Sequence, residues 1–129
     1  MPIDVDNSEA PHFVRWTITG DWPSIADMRA VREALIGASQ LTPATGGLFD
    51  IRHVETIPSY TEVQSMIEAA MKSGGLPLFR AYLVASAEQF GIVRQMKALA
   101  PPGIQVEIFF NEAEAWAWLH RTKAAASQG

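Results

Sequence analysis

The segment from Gly47 to Ala85 constrains the fold of this chain more than any other. Gly47 to Ile51 is a short apolar run of strand character. Ser59-Tyr60-Thr61-Glu62 then has the spacing of a capping box, in which the Ser hydroxyl and the Glu carboxylate reciprocally satisfy orphan backbone N–H groups. Val63, Met66, Ile67, Ala70 and Met71 share one face of the helix that follows, and Gly74-Gly75 stops it. Phe79 to Ala85 is a second apolar run, suited to a central strand. Two strands joined by a helix-length crossover pair in parallel through a right-handed connection, so this unit belongs in an α/β sheet.

The flanking sequence extends the same alternation. Ile3 to Asp6 and His12 to Thr19 read as an N-terminal hairpin, with Val14, Trp16 and Ile18 alternating with Arg15, Thr17 and Thr19. A first helix is predicted with Asp21 as its acidic cap and Pro23 in its first turn, carrying Ile25, Met28, Val31 and Leu35 and ending near Gly37. Ser86 and Gln89 repeat the capping-box spacing before Phe90, Val93, Met96 and Leu99, and Pro101-Pro102-Gly103 ends that helix. Ile104 to Phe110 is the last strand, and Asn111-Glu112-Ala113-Glu114 caps a final helix bearing Trp116 and Leu119. The residues after Lys123 read as a frayed tail. The predicted order is ββαβαβαβα: a five-stranded, mostly parallel sheet with an antiparallel N-terminal edge strand and four helices. Residues 1–129 are expected to form one domain with an ordered core over residues 2–122.

Taken together, the hairpin, Phe49-Asp50-Ile51-Arg52, the helix opening at Ser59, Ala81-Tyr82-Leu83-Val84-Ala85, Phe90-Gly91-Ile92-Val93-Arg94 and the closing Val106 to Leu119 stretch resemble the STAS superfamily. Within it, the chain is similar to the SpoIIAA-like group of small bacterial proteins, also described as STAS or SEC14-like. The resemblance spans nearly the whole chain and is carried by hydrophobic patterns more than by fixed polar residues. It implies a STAS-like fold and a regulatory or interaction role. In the anti-sigma-factor antagonists of the superfamily, the helix corresponding to that of Ser59 begins at a phosphorylated Ser. Asp50 and Ser59 occupy the matching positions, with Thr61 as a second candidate phosphoacceptor. The family's Asp-Ser-Ser-Gly stands here as Pro58-Ser59-Tyr60-Thr61, so only the Ser is kept.

Composition closes several classes of function. A net charge of -4 with scattered basic residues offers no footprint for nucleic acid, which requires clustered Lys and Arg. The absence of Cys removes disulfides, thiolate nucleophiles and Cys-based metal sites together. No apolar run approaches the roughly 18 to 20 residues of a transmembrane helix, and Met1 to Asp6 lacks the regions of a secretory signal, so the expected location is cytoplasmic. His12, His53 and His120 lack metal-ligand spacing, and neither Gly46-Gly47 nor Gly74-Gly75 forms a phosphate loop. No metal or other cofactor is expected. No Ser lies in a nucleophile elbow, and no catalytic signature is present.

The candidate ligand or partner surface comprises Asp50, Arg52, His53, Ser59, Tyr60 and Ser86, gathered where open α/β sheets bind ligands. Asp50 and Arg52 share strand parity and can pair on one face, while His53 begins the following loop. Alternatively, Arg52 and His53 join the helix N-termini near Ser59 and Ser86 in an anion site. Ser59 is a helix cap, a switch, or both. Arg80 and Arg94 read as surface or edge residues, and Met66, Met71 and Met96 as core. Trp22 and Tyr60 would wall a small apolar cleft with His53 at its mouth.

Two functions remain. One is a non-enzymatic regulatory or protein-interaction module acting through the start of the second helix. The other is a small-molecule or lipid-binding protein with a cleft at the carboxyl edge of the sheet. The partner is accordingly a protein or a small apolar or anionic ligand, and the uncovered edge strand is compatible with a homodimer. An enzyme acting on a small acid would need His53 and Asp50 to converge on one pocket.

Overall fold

The computed structural model describes residues 3–72 and 74–128. Its strands are β1 (Ile3–Asp6), β2 (Phe13–Gly20), β3 (Gly46–Val54), β4 (Phe79–Leu83) and β5 (Gln105–Phe109). Its helices are α1 (Ile25–Gly37), α2 (Tyr60–Lys72), α3 (Ala87–Leu99) and α4 (Glu112–Gln128). The strands lie side by side in chain order, β1 antiparallel to β2 and the other pairs parallel. The predicted α/β architecture and element order are those observed.

Strand alternation sorts the side chains into two layers. Val14, Trp16, Ile18, Phe49, Ile51, Tyr82, Val84 and Val106 pack with Leu35 of α1, Val63 of α2, and Ile92, Val93 and Met96 of α3. Phe13, Leu48, Phe79 and Ala81 project from the opposite face onto Ala115 and Leu119 of α4. Three helices therefore cover one face and α4 alone covers part of the other. Trp16, Phe49 and Tyr82 are in register across β2, β3 and β4 and stack face to face, with ring centroids 4.5 and 4.8 Å apart. Stacked pairs of this kind contribute about 0.5–1.5 kcal/mol each beyond the area they bury. Gly47 sits against this stack because a side chain would not fit: a Cβ there would stand 2.6 Å from Pro77 Cγ and 2.9 Å from Trp16 Cζ3.

Several boundaries differ from the sequence reading. The α1 cap is Ser24, whose hydroxyl accepts from Asp27 N at 3.1 Å; Asp21 and Pro23 both precede the helix. A residue before proline is pushed out of the helical region, so a helix cannot pass from Trp22 into Pro23. β3 runs on to Val54, because beyond an irregularity at Thr17 to Thr19 the ladder resumes with Thr19 opposite His53 and Gly20 opposite Val54. His53 therefore belongs to a strand, not a loop. β4 and β5 are shorter than their apolar runs. α4 continues through Gln128, where Ala124-Ala125-Ala126 supplies strong helix formers in place of a frayed tail.

Candidate functional site

At the carboxyl end of β3 the predicted Asp50–Arg52 pair is formed, and it is part of a larger cluster. Arg52 donates to Asp50 through Nη2 (2.8 Å), Nε (3.0 Å) and its backbone N (3.1 Å). Arg15, across the ladder on β2, donates Nη2 to the same carboxylate at 2.8 Å. Glu112, in the first turn of α4, accepts from Arg15 Nη1 at 2.9 Å and from Arg52 Nη2 at 3.4 Å. Two guanidiniums and two carboxylates thus neutralise one another. Burial pushes the Asp50 carboxyl up, but hydrogen bonds from Arg52 and the charges of Arg52 and Arg15 outweigh it and hold the group below the ordinary carboxylate range. Hydrogen bonding from Arg15, opposed by burial, holds Glu112 low as well. Arg52 is committed within this cluster, which leaves it poorly placed as the anchor of an anion site.

The helix starts are also filled from within the chain. Glu62 N donates to Ser59 Oγ and Ser59 N to Glu62 Oε1, both at 3.2 Å, so the capping box is closed. Ser59, Tyr60, Thr61 and Glu62 are all exposed, Tyr60 to 50%. Ser86 accepts from Gln89 N at 3.1 Å. The Gln89 side chain departs from the reciprocal pattern: its Oε1 accepts from Ala85 N, and its Nε2 donates to Arg52 O and Val54 O. This buried amide bolts α3 to the end of β3. His53 is exposed, and neither it nor Tyr60 lines the apolar cavity described next.

That cavity lies beneath α1 and α2, against the sheet. It holds about 100 Å³ and opens partly to solvent. Its wall includes the Trp16–Phe49–Tyr82 stack, Trp22, and the sulfur-bearing side chains Met28, Met66, Met71 and Met96. Trp22 Nε1 approaches Met66 Sδ at 3.1 Å and ties the entry of α1 to α2. Two cations interrupt this apolar lining: Arg32, from the last turns of α1, and Arg80, the second residue of β4. Phe13, Gly46, Phe79 and Gln105 form the amino-terminal row of the parallel strands, so Arg80 stands one residue from that edge. The cationic part of the cavity is therefore at the amino edge of the sheet, away from the carboxyl edge where a cleft was expected. Strands that pair strictly in chain order contain no reversal of strand order, and such reversals are what open a crevice at the carboxyl edge.

Arg32 is 8% exposed, and its Nε is buried with no hydrogen-bond acceptor among the described residues. No carboxylate pairs with it or with Arg80 there. Arg80 Nε donates to Pro77 O at 2.8 Å and Nη2 to Gly75 O at 2.9 Å, and its Cζ lies 5.8 Å from the centroid of the Phe49 ring. Burial, followed by the positive charge of Arg80, lowers the affinity of the Arg32 guanidinium for its proton, with Glu33 and Tyr82 opposing. Arg32 escaped the sequence reading, although it stands four residues after Met28 and three before Leu35, on the apolar stripe of α1. Arg80, read as a surface or edge residue, is a cavity residue; Arg94 is exposed as expected.

A mixed five-stranded sheet with this element order defines the SpoIIAA-like class of α/β folds. A crystal structure of that fold, from an uncharacterised DUF3478-family protein of Shewanella loihica PV-4, superposes on 91% of this chain and 91% of its own, with a TM-score of 0.64 and 16% identity. At that identity the likeness is one of fold. No protein-family model and no curated protein matches the sequence. Among the described residues, no helix is long and apolar enough to cross a membrane.

Proposed function

We propose that this chain is a non-enzymatic binding protein that takes a small, largely apolar molecule into the cavity beneath α1 and α2. The supporting observation is the lining itself: three stacked aromatic side chains and four methionines surround about 100 Å³ of space. The wall forms an apolar recess open to solvent on one side, and methionines adapt to ligands of different shape. The enclosed part is smaller than the roughly 150 Å³ that holds one benzene ring, so a longer ligand extends through the open side. The described lining contains no Ser, Thr, Cys, His, Asp or Glu, so it offers neither a nucleophile with a base nor a carboxylate pair.

Titration with the neutral fluorophore N-phenyl-1-naphthylamine, which can insert one ring edge against the aromatic wall and leave the rest in the opening, tests the reading. Saturable one-to-one fluorescence enhancement is expected in the native chain. It should vanish in Ala70→Trp, which fills the cavity from α2, with the far-UV spectrum retained. Equal enhancement in both proteins would place the dye on the outer surface and end the proposal.

A second reading draws on the exposed Ser59-Tyr60-Thr61-Glu62 turn, where a half-exposed aromatic ring adjoins two accessible hydroxyls. In this reading the turn is a docking surface that phosphorylation at Ser59 or Thr61 would switch. Phosphate mapped to either residue in protein isolated from its host would support it; an unmodified turn in protein from every growth phase would count against it.

A further inference from the structure

Resting on the cavity reading, we propose that the ligand is a small amphiphile bearing one carboxylate, with its head against Arg32 and Arg80 and its apolar body along the Trp16–Phe49–Tyr82 wall. Two features meet in this cavity that neither packing nor folding explains. The first is a guanidinium, nine-tenths buried, whose Nε has no acceptor among the described residues. An N–H in that state carries the cost of its desolvation without a compensating bond, and buried polar atoms left so are rare in native proteins. The second is the sign of the charge. Asp50 and Glu112 occupy the other pair of buried or half-buried arginines, Arg15 and Arg52, on the opposite face of the sheet. Arg32 and Arg80 have no such partner among the described residues, so the cavity carries a net positive charge within an apolar wall.

The chemistry that completes this arrangement is an anion with a planar pair of oxygens. A guanidinium presents its N–H donors in a fixed fork that matches a carboxylate. Arg80 is held through Nε and Nη2 by the carbonyls of Pro77, Gly75 and Leu76, so the plane of its guanidinium is fixed before any ligand arrives and Nη1 is the donor left for it. A carboxylate head and the first carbons of a chain use the enclosed space, and the rest of the chain runs along the wall and out through the open side. A doubly charged phosphate monoester would bring more charge into the same apolar space at a greater desolvation cost.

Competition against bound N-phenyl-1-naphthylamine by octanoate, octanol and octyl phosphate separates the possibilities. Octanoate is expected to displace the dye at least about tenfold more tightly than octanol, the equivalent of one charge-assisted hydrogen bond. In Arg32→Met the ratio should fall several-fold, because octanol binding survives while the carboxylate keeps only Arg80. Equal displacement by octanoate and octanol in the native protein would overturn the carboxylate assignment and leave the cavity reading standing. Tighter binding of octyl phosphate than of octanoate would overturn the choice of head group. Failure of all three compounds to displace a saturably bound dye would also overturn the inference. Absence of saturable dye binding in the first place would remove the cavity reading on which it rests. The comparison of three ligands on the native chain decides the matter even if Arg32→Met does not fold.

Discussion

Replacing Asp50 by Asn removes one charge and changes almost nothing in shape, which makes it the sharpest probe of the cluster on β3. The native carboxylate is 3% exposed and accepts four hydrogen bonds, three from Arg52 and one from Arg15. An amide retains one acceptor oxygen and turns an N–H₂ group toward guanidinium donors, so at least one of these contacts becomes donor against donor. Removing one partner of a buried ion pair costs about 3–5 kcal/mol. Arg15 and Arg52 are 22% and 34% exposed and keep Glu112, so part of that cost returns as hydration. A loss of about 2–3 kcal/mol remains, or about 8–12 °C in Tm for a chain of this length. Urea denaturation at pH 7 should show a lower midpoint with an unchanged slope. Because the pair is shielded, the loss should persist at 0.5 M salt, where an exposed pair would already be screened. A loss below about 1 kcal/mol, or one abolished by salt, would show that Asp50 is far better hydrated than its surroundings imply.

Acid should act through the same groups. Asp50 and Glu112 are held below the ordinary carboxylate range, so their contribution is complete above about pH 5 and is lost as the pH falls through about 4 and below; the fall in urea midpoint between pH 6 and pH 3 should be smaller in Asp50→Asn. Arg32→Met should raise stability by about 1 kcal/mol or more, read as an increase in Tm, since a buried guanidinium without an acceptor is replaced by an apolar chain of similar length; a decrease would mean the guanidinium is satisfied in solution. Two glycines should respond in opposite directions. Gly47→Ala drives a methyl into Pro77 and Trp16 and should cost about 1–3 kcal/mol, whereas Gly91→Ala, inside α3 with nothing within 4 Å, should gain about 0.5–1 kcal/mol by calorimetry or chemical denaturation.

The parts of this molecule that were legible in its sequence are those governed by local rules. Strand alternation in Val14, Trp16 and Ile18, the Ser59–Glu62 box and the shared parity of Asp50 and Arg52 each depend on residues a few positions apart. What escaped depends on distance along the chain. Arg15 and Glu112 are separated by 97 residues, and only the path of α4 over the sheet brings them together. That the two arginines of the cavity lie toward the amino edge follows from which residues the sequential strand order brings together, and no local pattern encodes that order. Arg32 is the intermediate case. Its place on the apolar stripe of α1 was visible, but a long side chain on such a stripe can reach water by its tip, and only the folded structure shows that Nε does not.

The solitary position of α4 bears on how the chain behaves while it is being made. Leu48, Phe79 and Ala81 emerge from the ribosome well before Ala115 and Leu119, the residues that cover them. At about 5–20 residues per second, this leaves a few seconds in which one side of the nascent sheet is greasy and bare. During that interval the three-helix side can already assemble, since each of its helices is synthesised between the strands it bridges. The last helix is then the element whose arrival ends the exposure, and the Arg15 and Arg52 contacts to Glu112 register its first turn as it docks. Lesions in α4 should therefore be felt first as aggregation during synthesis, before any change in the cavity on the far side of the sheet.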